Sequence, residues 1–298
     1  MSNNEKWLKK AQKLSIHEKM FQCPICGGSM KVERMASLEC ENRHCYDISR
    51  QGYVNLLNHS SKTKYDKALF EARNTISGSG FFGPMVEAVT NRLIQELKSR
   101  ESVKPVKLLD AGCGEGSHLS AIGHKLREHP LVPDVLGVGM DIAKEGIVMA
   151  AKTSPDSIWC VADLSRSPFA DQQFDYILNI LSPSNYSEFR RLLASGGSLV
   201  KVIPDSLYLQ ELRTLFYTGT GKENYSNDST IELFSRHFEQ IEAERVQYRV
   251  VLDNDQMKQL IRMTPLSWSA SPEAIGQMLD EAMEVTADFK ILYGWNEG

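Results

Sequence analysis

Five residues with metal-binding chemistry crowd into one short stretch, CPICGGSMKVERMASLECENRHC, residues 23–45. Cys23 and Cys26 are two residues apart; thirteen residues later comes Cys40, then His44 at a spacing of three, with Cys45 beside it. Zinc takes four soft or borderline donors in a tetrahedron, and a two-residue spacing lets one tight turn present both thiolates to one ion. The stretch therefore reads as a zinc site built on Cys23, Cys26 and Cys40, completed by either His44 or Cys45. Gly27 and Gly28 let the backbone fold around the metal, and KVERMASLEC predicts a strand that returns the chain to the second pair. A redox Cys-x-x-Cys would instead sit between a strand and a long helix, without a second Cys/His pair downstream.

A different chemistry begins at Val106, where VKLLDAGCGEGSHLSAIGHKL runs from an apolar strand through a glycine loop into an amphipathic helix. Such a unit opens a doubly wound sheet, with ligands bound at the carboxyl ends of the strands. The glycines are spaced G-x-G-x-G (Gly112, Gly114, Gly116), and Asp110 ends the strand before them. A carboxylate there suits a ligand carrying an ammonium group and poorly suits a pyrophosphate, which points to S-adenosylmethionine. VLGVGMDI predicts a second strand ending in Asp141, placed to take two ribose hydroxyls. IWCVADL predicts a third, where Asp163 and Leu164 meet an adenine amine and ring face. Any one of these acids could merely cap the next helix, but three at consecutive strand ends form a cofactor site. FDYILNI, a fourth strand, ends near Asn179 at the reacting edge. The adjoining LSPSNY, which brings Ser182, Pro183 and Tyr186, is similar to the S-P-P-Y loop of amino-group methyltransferases, with Ser184 in place of the second proline.

The elements that must position these residues follow from periodicity. Helices are predicted over about 66–77 and 84–99, divided by GSGFFGP; Val86, Val89, Leu93 and Leu97 give the second one a face to pack on a sheet. EFRRLLASGGSLVKVIP is a helix, a Gly-Gly turn and a fifth strand. FEQIEAERVQYRVVL is a long strand, NDQMKQLIRMTPLSW a helix and turn, PEAIGQMLDEAM a helix and VTADFKILYGW a last strand. The expected fold is α/β: a class I S-adenosylmethionine-dependent methyltransferase with a Rossmann-like seven-stranded sheet and a small N-terminal zinc-finger module. The expected divisions are an extension over 1–20, the zinc module over 21–60, a helical linker or lid over 61–100 and the methyltransferase domain over 101–298. The lysine-rich extension has no assignment.

With 298 residues and 42% hydrophobic content, the chain can bury a full core plus a smaller module. No apolar run is long enough to cross a bilayer and no signal peptide is evident, so a cytoplasmic protein is expected. In that compartment the six cysteines are ligands or core residues rather than disulfides. The net charge of -4 argues against a uniformly basic nucleic-acid binder, yet residues 1–75 hold thirteen Lys or Arg against eight Asp or Glu. Any polyanionic partner is met by this basic front end.

The motifs CPICG, ENR, DISRQGYVNLL, EARNTISGSGFFGPM, LLDAGCGEG, MDI, SPFAD, LSPSNYSEFRRLLASGG and RMTPLSW occur in this order. In them the chain resembles the 23S ribosomal RNA guanine-N1 methyltransferases of the RlmA type, over residues 22 to about 295. The resemblance implies His44 as the fourth zinc ligand, with Cys45 an extra thiol. It implies cofactor contacts at Gly114 and Glu115, at Phe82 where relatives often have Tyr, and at Tyr208 where relatives often have His. It implies, too, a guanine of a 23S rRNA hairpin as substrate, guided into the cleft by the zinc module. Guanine N1 lies on the Watson–Crick edge and must be unpaired or flipped to be reached. Lys31, Arg34, Arg43, Arg50, Lys62 and Lys64 are candidates for phosphate contacts, and Tyr46 or Tyr53 for base stacking. Asn179, Ser182 and Pro183 are placed to hold the guanine edge. A base must remove the N1 proton, and the sequence names none. A methyltransferase of another substrate and a non-enzymatic RNA-binding protein are the alternatives, and a homodimer is left open.

Overall fold

Near-continuous apolar runs such as LLDA, VLGVGM and YILNI belong to strands buried on both faces, and they form the centre of one large sheet. The computed structural model describes residues 3–58, 65–98, 104–132, 134–217, 225–270, 275–276 and 282–295. Its front end comprises α1 (Asn3–Ile16), β1 (Met30–Glu33), β2 (Ser37–Cys40), β3 (Cys45–Asp47) and the two-residue β4 (Val54–Asn55). Helices α2 (Lys67–Gly78) and α3 (Gly83–Lys98) lead to β5 (Val106–Ala111), α4 (Ser117–Glu128), β6 (Val135–Asp141), α5 (Lys144–Thr153) and β7 (Ile158–Val161). Then come β8 (Phe174–Ile180), α6 (Tyr186–Leu192), β9 (Leu193–Pro204), α7 (Gln210–Tyr217) and α8 (Asp228–Ser235). The chain closes with β10 (Gln240–Leu252), α9 (Asn254–Met263) and β11 (Met283–Trp295).

The large sheet has the order β10-β11-β9-β8-β5-β6-β7-β4. β11 runs antiparallel to both β9 and β10, while β4 through β9 are parallel. Chain order reverses between β5 and β8, so the carboxyl ends of these strands frame the crevice where such sheets bind ligands. The seven expected strands are all present. An eighth is added by the zinc module: β4, from the YVNLL segment, pairs Val54 with Cys160 and Asn55 with Val161 at the edge of the sheet. KVERMASLEC is a hairpin rather than one strand, because Arg34 and Met35 at φ 50° and 58° turn the chain between β1 and β2. The helix expected at PEAIGQMLDEAM lies largely outside the described residues.

A parallel crossover normally carries a helix that covers one face of the sheet. Here β7 and β8 are joined by twelve residues with a single 3-10 turn, Leu164–Arg166. The zinc module and α1 cover the exposed face instead. Phe21 packs on Phe169 with ring centroids 5.3 Å apart, and Phe169 on Phe174 at 5.1 Å. The Gln22 N–H donates to Pro168 O (3.0 Å) and the Ala170 N–H to Met20 O (2.8 Å). Leu14, Met20, Met30 and Leu38 share one buried cluster with Leu136, Met140 and Ile177 of the sheet. SPFAD, residues 167–171, is thus the seat of the module, and packing is continuous across the boundary drawn at residue 60. The unassigned extension is α1, which ties module to body: Trp7 Nε1 donates to Ser49 O (3.0 Å), Lys10 Nζ to Gln51 O and Ala151 O (2.8 and 2.6 Å), and Lys13 Nζ to Asp156 O (2.6 Å).

Candidate active site and metal centre

Two tight turns build the metal centre. Gly27, at φ 72°, lets its N–H reach Cys23 O (2.8 Å), and the Arg43 N–H reaches Cys40 O (2.8 Å). Cys23, Cys26, Cys40 and His44 thereby bring their donor atoms within 4.8 Å of one another. Cys23 Sγ and Cys40 Sγ lie 3.4 and 3.3 Å from His44 Nδ1. Three thiols and one imidazole in this cluster fit a structural zinc ion. The Asn42 side chain and the Gly28 N–H draw the Cys26 thiol down to about 6, toward the thiolate a metal needs. Cys45 is excluded from the cluster: on exposed β3 its thiol points to Glu39 Oε1 at 3.5 Å.

The glycine loop after β5 keeps Gly112, Gly114 and Gly116 at φ 83°, 56° and 81°. A Cβ on Gly112 would meet Ser182 Oγ at 1.8 Å and one on Gly116 the Trp159 ring at 2.4 Å, so only glycine fits. The loop floors a cavity of about 770 Å³ at the carboxyl edge of the sheet. Gly112, Gly114, Asp141, Asp163, Leu164, Phe82 and Tyr208 all line it. Asp110 and Glu115 lie behind the loop, fully buried, and Asp110 Oδ2 has no hydrogen-bond partner. Burial pushes the Asp110 carboxyl up to about 7, against the pull of Arg73. Arg73, from α2, pairs with Glu115 at 3.2 Å without hydrogen-bond alignment; burial opposes its charge, but Glu115, Asp110 and Asp141 hold it. An orphaned buried carboxylate oxygen beside a glycine loop fits the ammonium of S-adenosylmethionine. Two of the strand-end acids also hold backbone, and Asp163 caps the 3-10 turn that follows it. Asp141 accepts from the Gly114 and Ala143 N–H groups (both 2.8 Å), and Asp163 from the Ser165 N–H (2.8 Å). A carboxylate has about four lone-pair sites, so both duties can coexist.

The chain matches the zinc-ribbon family described as "RlmA, N-terminal" over residues 21–64 and a family described as "Methyltransferase domain" over residues 109–200. YxjB of Bacillus subtilis (strain 168), which carries the name of a 23S rRNA (guanine-N1)-methyltransferase, is 40% identical over 286 residues, spanning 95% of this chain and 99% of that protein. The chain belongs to this family. The 23S rRNA (guanine(748)-N1)-methyltransferase of Streptomyces fradiae is 28% identical over 88% of this chain and 90% of its own length. A Micromonospora griseorubida protein named for the same reaction class is 29% identical over 91% of this chain and 95% of its own length. The methyltransferase is thus an S-adenosylmethionine-dependent enzyme with a zinc ribbon.

Beyond the cofactor residues, the methyltransferase holds the expected substrate loop at the cavity rim. Ser182 and Pro183 line the cavity, and Leu181 sits at φ 52°, a left-handed conformation uncommon for leucine. Asn179 does not face the cavity. It is wholly buried, donating to Ala111 O (2.8 Å) and Pro183 O (2.9 Å) and accepting from Ser184 Oγ (2.9 Å) and Lys201 Nζ (2.6 Å). With its amide so engaged, Asn179 shapes the loop rather than presenting atoms to a base. Tyr53 is likewise core, whereas Tyr46 is half-buried with its hydroxyl on Asn58 Oδ1 (3.0 Å). Lys31, Arg34, Arg43 and Arg50 are exposed; Lys62 and Lys64 lie outside the described residues.

Five lining residues carry no signal of chemistry in the sequence. Arg73 sits among the acids, Lys201 of β9 lines the cavity, and Met263, Thr264 and Pro265 form part of its wall. They fall in EARN, SLVKVIP and RMTP, none of which has a spacing diagnostic of chemistry. Tyr65 lines the cavity and is 42% exposed, and its ring lies 6.4 Å from that of Trp268, which is 52% exposed. Among the described residues, no helix is long and apolar enough to cross a membrane.

Proposed function

We propose that this chain methylates N1 of a guanine in a hairpin of 23S rRNA, in the cytoplasm, with the zinc module engaging the RNA. The observation that carries the reading is the end-to-end similarity to YxjB, which embraces the zinc ribbon as well as the cofactor fold. The module leaves the sheet at β4, parallel to β7, with the Leu56 N–H on Val161 O (2.8 Å). It therefore ends on the same edge as Asp163 and the cavity, where RNA held by the module would meet the rim.

Cys23, Cys26, Cys40 and His44 would hold zinc, which fixes the turns that carry Arg43. S-adenosylmethionine, when bound, supplies a methyl group on a sulfonium. Asp110 would take its ammonium, Arg73 its carboxylate, Asp141 the ribose, and Asp163 with Leu164 the adenine. Phe82 and Tyr208 close the apolar wall. The Ser182–Ser184 backbone offers polar groups to a flipped guanine edge, and Tyr65 of the cavity lining, with Trp268 beside it, offers a ring face. Because transfer needs little beyond alignment, these residues act chiefly by positioning.

Nucleoside mass spectrometry of 23S rRNA from a strain lacking the gene tests this directly. Loss of one 1-methylguanosine, restored by the purified protein with S-adenosylmethionine, is expected. An unchanged nucleoside profile would refute it.

A further inference from the structure

Lys201 is a buried lysine at the carboxyl edge of the sheet with, among the described residues, no carboxylate paired to its charge. It lies on β9 opposite Asn179 of β8, and its Nζ donates to Asn179 Oδ1 (2.6 Å) and to the carbonyl of Ser182. Those two acceptors use the two hydrogens of a neutral amine, and the remaining valence of Nζ belongs to a side chain that lines the cavity. Ser182 is also the residue whose hydroxyl abuts Gly112, so Nζ is tied to the loop that flanks the glycine turn. The titratable groups that share the cavity are Tyr65 before α2, Arg73 of α2, Asp141 at the end of β6, Asp163 after β7, Tyr186 of α6 and Tyr208 after β9. Asp110 stands two strands away on β5. None of these pairs with Nζ, and burial alone pushes the amine down to about 8.

A lysine used only to tie a loop would be cheaper with its charge compensated, since an uncompensated buried ammonium is costly. We infer that Lys201 is the group that accepts the N1 proton of the target guanine. The inference rests on the guanine-N1 reading above. In the step, the N1–H bond breaks and its proton moves to the lone pair of Nζ. The electron pair left on N1 forms the bond to the methyl carbon as the methyl–sulfur bond breaks, leaving N1-methylguanine, S-adenosylhomocysteine and an ammonium on Lys201. That ammonium keeps its bonds to Asn179 and Ser182 and returns its proton to water after release.

The test starts by identifying the product of the wild-type protein on an unmodified 23S rRNA fragment. A methylated nucleoside other than 1-methylguanosine removes the reading on which the inference depends. With 1-methylguanosine established, the single-turnover rate decides the role of Lys201. It should rise about tenfold per pH unit and level off near pH 8, as the amine becomes neutral. Lys201→Met and Lys201→Arg should each lose about 100-fold or more at neutral pH and climb with pH without levelling, as hydroxide takes over. Calorimetry should show their S-adenosylmethionine affinity unchanged. Arginine keeps donors for Asn179 and Ser182 but cannot serve as a base, so recovery of the rate by Lys201→Arg would assign a tie alone and overturn the proposal. A wild-type rate that falls with rising pH would also overturn it, by making the ammonium the active form. Independently of activity, the labelled-lysine resonance absent from Lys201→Arg should titrate near 8; a midpoint at or above about 10, the ordinary lysine value, would contradict the role.

Discussion

In the zinc module the four candidate donors come from residues 23–44 and converge through two local turns. In the cofactor cleft the lining comes from Tyr65 through Pro265, and it meets only because parallel strands end at one edge. The first site is local and partly exposed, and its geometry is completed by a metal. The second is distant in sequence and deeply buried, and its geometry is set by the sheet before any ligand arrives. The module nevertheless does more than carry a metal: by replacing a crossover helix it closes one face of the sheet. Its stability and that of the cleft are therefore joined through Phe21, Phe169 and Phe174.

Removing zinc should break the comparison most severely. Apparent binding energies of about 10–16 kcal/mol are typical for structural zinc in finger peptides, so Cys40→Ser or a strong chelator should unfold the module and expose the sheet face. A large drop in melting temperature with gain of hydrophobic-dye binding is expected, whereas Cys45→Ser should keep about one zinc per chain. A chelated protein with an unchanged melting temperature would make the module independent of the core.

In the cleft, Asp141→Ala should weaken S-adenosylmethionine binding by about 1.5–3 kcal/mol, the range for a bond to a charged group. It also frees the Gly114 and Ala143 N–H groups, so Asp141→Asn should recover part of the loss. Calorimetry with undiminished affinity for Asp141→Ala would remove the ribose role.

Asp110 sharpens the comparison through pH. Its carboxyl is raised in the fold to about 7, so the protein binds a proton there that the unfolded chain releases at lower pH. Ligand-free stability therefore declines as pH rises toward 7 and then levels. Binding of an ammonium requires the carboxylate, so affinity for S-adenosylmethionine should fall up to about tenfold per pH unit below 7. Asp110→Asn should flatten both dependences and raise the ligand-free melting temperature at pH 8. A cofactor affinity independent of pH in the wild type would place the ammonium elsewhere.

What the sequence disclosed follows the same division. Ligand spacing exposed the metal centre, because one turn of backbone dictates where Cys23 and Cys26 can point; spacing alone left His44 and Cys45 open, the family resemblance chose His44, and the β2–β3 pairing, which sends Cys45 toward Glu39, gives the physical reason. Acids at strand ends were legible because the fold delivers every such end to one edge. Asn179 was correctly placed at the edge and wrongly aimed, since strand position does not reveal that β9 would send Lys201 across to occupy its oxygen. Lys201 itself reads in SLVKVIP as an ordinary interruption of a strand. The role of α1 was hidden for a similar reason: its lysines look solvated until the carbonyls of Gln51, Ala151 and Asp156 are brought beneath them.

The division of labour rests finally on charge. Arg34 and Arg43 stand at two turn tips of the module with φ of 50° and 63°, and Arg50 is exposed nearby; among the described residues no ion pair engages them. The most direct test is the salt dependence of 23S rRNA binding when all three are replaced by Ala. Each lost phosphate contact should lower the slope of log affinity against log salt by about 0.7 to 0.9. The RNA concentration needed for methylation should rise, while the maximal rate and S-adenosylmethionine affinity stay as they were. An unaltered affinity and slope would contradict the account, leaving the module as a cover for the sheet and RNA recognition on the acidic body.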